Sequence, residues 1–92
     1  MNTPVSLNLD KLLLEKGIDM PVSPTIADVV MRLYKKHGIW ISVDMVFGED
    51  QTGFWYCIRE SKEDDFAVQS DDYGTVTEAY ESAIEYVLNN LI

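Results

Sequence analysis

The hydrophobic repeat of this chain changes period twice, and that change restricts it to folds that mix helices with antiparallel strands. In residues 24–37, PTIADVVMRLYKKH, the side chains Ile26, Val29, Val30, Leu33 and Tyr34 recur at the i, i+3, i+4, i+7, i+8 spacing of one helical face. From Ile39 to Phe47, IWISVDMVF, the period falls to two. Ile39, Ile41, Val43, Met45 and Phe47 share one side, and Trp40, Ser42, Asp44 and Val46 the other. Over residues 75–91 the helical spacing returns through Val76, Ala79, Tyr80, Ala83, Ile84, Val87, Leu88 and Leu91. Strands with one apolar face need a layer to bury it, and the helices are the layer this chain offers.

Local signals mark the ends of these segments. Residues 6–16 form a short helix with Ser6 as cap and Leu9, Leu12 and Leu13 on one face. Gly17 suits the left-handed position that ends a helix, and Ile18 can fold back onto Leu13. Ser23 or Thr25 caps the second helix, with Pro24 tolerated in its first turn, and Gly38 stops it. After the loop GEDQTG, residues 54–60, FWYCIRE, read as a second strand, and FAVQS as a short third one. A tight hairpin sets Phe47 opposite Phe54, Met45 opposite Tyr56 and Val43 opposite Ile58. Thr75 and Glu78 have capping-box spacing at the start of the last helix. The expected fold is therefore α+β in the order α-α-β-β-β-α. A three-stranded antiparallel meander carries the last two helices on one face, and the first helix covers an edge or an end. Without repeats or linkers, residues 1–92 are expected to form one domain.

Composition narrows the function classes. At 92 residues and 47% apolar content the chain is too hydrophobic for disorder. No apolar run nears the ~20 residues of a membrane span. The start, MNTPVSLNLD, lacks a secretory pattern, and a lone Cys57 excludes an internal disulfide, so a cytoplasmic location is expected. The net charge of −9 is unevenly spread. Residues 1–40 hold five cations against four carboxylates, whereas residues 41–92 hold Arg59 and Lys62 against twelve carboxylates. Such a chain repels phosphate backbones, which argues against nucleic acid, and favours a basic protein partner. Acidity that merely maintains solubility is the plainer alternative.

Reactive chemistry is sparse. His37 is the only histidine and sits beside Gly38 at a helix end, where it complements the dipole. Cys57 lies inside a strand with no adjacent cation in sequence and reads as packed. The pairs Asp64–Asp65 and Asp71–Asp72 lack calcium-loop spacing and read as solvated turns. No glycine-rich phosphate cradle occurs. No catalytic, cofactor-binding or metal-ligating residue is assigned, and the chain is not expected to be an enzyme.

The second face of the strands is the exception. Trp40, Val46, Trp55, Cys57 and Ala67 lie there with Ser42, Asp44, Arg59 and Gln69, and the expected register lets Asp44 and Arg59 meet diagonally. Either the first helix covers the tryptophans, or Trp40, Asp44, Val46, Trp55 and Arg59 form an interface. Aromatic residues and Arg are enriched in interface cores, and a two-fold homodimer is the commonest such assembly.

Two resemblances accompany these residues. The stretches PTIADVVMRLYKKHGIWI and TVTEAYESAIEYVLNNLI resemble short uncharacterised proteins of Bacteroides-type bacteria and their mobile elements. That group implies no activity. Three strands, an acidic turn and the pattern of Thr75, Glu78, Ala79 and Ala83 are similar to the antitoxin domain of HicB-type toxin–antitoxin pairs, which shares an α-β-β-β-α core with double-stranded-RNA-binding domains. The antitoxins carry an appended DNA-binding segment, and no such segment is expected within these 92 residues. Where RNA-binding domains open their last helix with lysines, it has Glu78, Glu81 and Glu85. The expected function is a non-catalytic protein-interaction module from a mobile element. The alternatives are an acidic, antitoxin-like inhibitor of a basic nuclease and, further off, a small enzyme.

Overall fold

A computed structural model describes residues 3–18, 20, 24–45, 53–60, 66–69 and 73–92. The first helix, α1, spans Leu7–Glu15, and the Ser6 hydroxyl caps it by accepting the Leu9 N–H at 3.3 Å. Gly17, at φ 72°, ends it. The Gly17 N–H bonds the Leu14 carbonyl and the Ile18 N–H the Leu13 carbonyl, both at 3.0 Å. These two bonds satisfy carbonyls that a helix end leaves open, and they fold Ile18 into the core.

Helix α2, Ile26–His37, opens on a reciprocal capping box. The Asp28 N–H donates to Thr25 Oγ1 at 3.2 Å, and the Thr25 N–H donates to Asp28 Oδ2 at 2.9 Å. Thr25 is thus the cap, and Ser23 lies outside the described residues. Gly38, at φ 67°, ends the helix and turns the chain straight into strand β1, Ile39–Met45. The N-terminal segment is stitched to this helix by Val5 N–H to Pro24 O at 3.1 Å and Ile26 N–H to Thr3 O at 2.9 Å. Helix α3, Val76–Asn90, is capped by Thr75, whose Oγ1 accepts the Glu78 N–H at 3.1 Å.

The chain is α+β, but the expected three-stranded meander, with its double-stranded-RNA-binding-like or HicB-like topology, needs correcting. The regular sheet is one antiparallel pair, β1 with β2, Phe54–Glu60, matched over seven residues from Ile39–Glu60 to Met45–Phe54. A four-residue segment β3, Phe66–Gln69, follows β2 over three residue pairs only, and its register slips between Ile58 and Arg59. A separate bridge joins Phe54 to Tyr73. The full-length elements therefore run α-α-β-β-α. The sequence around FAVQS explains the shortfall: Glu63, Asp64 and Asp65 precede it and Asp71 and Asp72 follow, residues depleted in strands.

The hairpin register is also corrected. Val43 pairs with Tyr56 and Ile41 with Ile58, a shift of two residues from the expected alignment. Phe47, Val46 and most of the loop after them lie outside the described residues.

The core lies between the helices and one face of the strand pair. Ile39, Ile41, Tyr56 and Ile58 from the strands meet Ile26, Val29, Val30 and Leu33 of α2 and Ala83, Ile84, Val87 and Leu88 of α3. Each larger side chain sealed here is worth about 1.5–3 kcal/mol before entropy is subtracted. Burial fades along β1, from Ile41 through half-buried Val43 to exposed Met45. Helix α1 lies against α3, approaches no strand, and adds Leu9 and Leu13 to the core. It does not cover an edge of the sheet. No helix among the described residues is long and apolar enough to cross a membrane.

Candidate functional site

The strand face turned away from the core is built by alternation. Once Ile39, Ile41, Tyr56 and Ile58 point to the helices, Trp40, Ser42 and Asp44 of β1 and Trp55, Cys57 and Arg59 of β2 must point the other way. Since α1 rests on α3, it does not shield these side chains. Trp40 is 42% exposed, Asp44 and Arg59 are exposed, and Trp55 is half-buried. Val46, the remaining expected interface residue, lies outside the described residues.

The true register rearranges this face. Trp40 stands opposite Arg59, Ser42 opposite Cys57, and Asp44 opposite Trp55. Asp44 and Arg59 are thus at opposite ends of the ladder, and the diagonal contact expected between them does not form. Each tryptophan instead faces a charged residue across the ladder. Cys57, in β2, is a free thiol and buried, as a packed cysteine should be.

One partner of the tryptophans was not legible in the sequence. Tyr34 of α2 fits the end of the buried stripe there, yet it is 48% exposed and meets Trp40 edge-on, ring centroids 5.4 Å apart at 78°. Such edge-to-face pairs are favoured by the ring quadrupoles. The signal was the turn at Gly38, which reverses the chain so that a residue late in α2 and one early in β1 become neighbours. Asp44 has a second role. Tyr80 of α3 has its phenol pushed above its ordinary range, first by burial and then by the negative charge of Asp44.

A second feature is a cleft of about 610 Å³ between α1 and α3. Glu78, Glu81 and Glu85 of α3 and Glu15 of α1 line it, with Lys11 the one cation among them. The Ser6 N–H donates to Glu81 Oε2 at 2.7 Å, which sets a carboxylate at the positive end of the α1 dipole. Among the described residues no group of three His, Cys, Asp or Glu side chains could hold a metal ion. His37 is exposed at the end of α2, away from Cys57 in sequence and on a different element. Asp64–Asp65 and Asp71–Asp72 lie outside the described residues.

No known protein family, curated protein or solved structure matches this chain.

Proposed function

We propose that this chain is a non-catalytic protein-interaction module of the cytoplasm, with the outward face of the β1–β2 pair as its contact surface. The observation that carries this reading is the placement of Trp40 and Trp55 on a face that no described helix covers, with Trp40 left 42% exposed. Large aromatic side chains are held in water at a cost, and they are the anchors that interface cores favour.

The test is affinity capture from the native host with wild-type protein beside Trp55→Glu and Glu81→Gln. Loss of a captured protein with Trp55→Glu, at unchanged circular dichroism, is the expected outcome. Equal capture by wild type and Trp55→Glu refutes the reading.

A second reading rests on the α1–α3 cleft. Its four carboxylates against one lysine suit a basic partner, as an acidic inhibitor of a nuclease would require. Under this reading Glu78→Lys with Glu85→Lys abolishes capture and Trp55→Glu does not, so the same assay separates the two.

A further inference from the structure

We infer that β1 is the pairing edge of a two-fold dimer whose partner is a second copy of this chain, aligned antiparallel along Ile39–Met45. Three independent features meet there. The first is the strand itself. Among the described residues β1 is outermost and pairs with β2 on one side only, so alternate backbone N–H and C=O groups along its seven residues are turned to the other side. Proteins that keep an edge solitary place Pro, Lys or a bulge in it. β1 has none of these, and Asp44 is its only charge.

The second feature is the helix above that edge. Helix α2 approaches β1 and no other strand, so it stands over the open side of the sheet. Ala27, Met31 and Tyr34 follow one another at i, i+4, i+7 along one flank, uninterrupted by charge. Met31 is 43% and Tyr34 48% exposed, and the contact of Tyr34 with Trp40 places this flank on the β1 side. Antiparallel pairing about the middle of β1 brings the two α2 helices side by side. The same side chains then pack against their own copies, as a two-fold interface requires.

The third feature is charge. Pairing centred on Ser42 sets Trp40 across from the Asp44 of the other copy. It also brings Lys35, Lys36 and His37, which end α2 just before β1, towards that carboxylate. Across α2 and β1 together three cations, Arg32, Lys35 and Lys36, stand against two carboxylates, Asp28 and Asp44, despite the net charge of −9.

This inference goes beyond the partner-binding reading; it shares Trp40, Ser42 and Asp44 of β1 with it, but not Trp55. Sedimentation velocity of the full chain at tens of micromolar should give twice the 10.5 kDa chain mass. Met31→Glu with Tyr34→Glu, both on the exposed flank, should shift it to a monomer with unchanged circular dichroism. In a Cys57→Ala background Ser42→Cys should form a disulfide between copies, Trp40→Cys with Asp44→Cys in one chain should do so as well, and Trp40→Cys alone should not, because position 40 faces position 44 of the other copy. A monomeric wild type, or a dimer that survives the Met31/Tyr34 change and cross-links nowhere in β1, overturns it. Trp55→Glu should remain dimeric. A dimer whose Trp55→Glu variant still captures a host protein upholds the self-pairing and removes the partner-binding reading. A monomer that captures through Trp55 does the reverse.

Discussion

Tyr80 shows how one residue ties two parts of the molecule together. It belongs to the apolar stripe of α3, yet its hydroxyl is near enough to Asp44 of β1 to feel that charge. Burial and the carboxylate both oppose ionisation, so the folded phenol holds its proton to a higher pH than the unfolded one, which ionises at the ordinary tyrosine value of 10.0. The stability this contributes is complete below the unfolded pKa and is lost as pH rises through the folded one. Alkaline unfolding should therefore steepen above pH 10, the ordinary tyrosine value. Tyr80→Phe should flatten that limb. Asp44→Asn should lower the tyrosinate midpoint seen by absorbance titration without abolishing the shift, because burial is the larger cause. A midpoint that Asp44→Asn leaves unmoved would mean that burial alone raises it.

At the scale of single elements, the helix ends carry the specification, and each end can be tested alone. Removing the Thr25 hydroxyl takes away one half of the α2 capping box, and Thr25→Ala should cost about 1 kcal/mol in urea unfolding. Gly17 sits at φ 72° with nothing within 4 Å of where a Cβ would be, so Gly17→Ala meets conformational strain and no collision. A loss of about 1 kcal/mol is expected there too, from the left-handed backbone alone. A much larger loss would mean that the end of α1 is packed more tightly than its open surroundings indicate. These ends were legible because the signals are local. Ser6, Thr25 and Thr75 each stand just before an apolar periodic run, and Gly17 and Gly38 just after one.

Across the whole molecule, charge and exposed aromatics point the same way. The −9 net charge, concentrated after residue 40, opposes any polyphosphate chain. Filter binding with duplex and single-stranded nucleic acid should show no retention even at low salt, where electrostatic attraction is strongest. Retention at micromolar protein would contradict the interaction reading, since it would give the tryptophans a base-stacking role. Protein recognition is instead supported by a face with Trp40 and Trp55 and by an open strand edge beside Met31 and Tyr34.

Local pattern marks which segments are helical, where β1 and β2 begin, and which side of each strand faces the core, although Met45, expected on that side, is exposed. Ile39, Ile41, Tyr56 and Ile58 are buried together as their alternation required. These properties depend on neighbours within a turn or two of chain. The hairpin register was not determined, because a period of two is unchanged by a slip of two residues. The expected and observed alignments bury the same face, and only the second separates Asp44 from Arg59. The place of α1 was equally open. Leu9 and Leu13 demand an apolar surface, but both the sheet and the flank of α3 could supply one. Packing chose α3, where Glu81 also meets the N-terminus of α1, and that choice leaves the tryptophan face without a helix over it. That no described helix lies over that face is thus a property of the tertiary structure: it follows from where a distant helix came to rest.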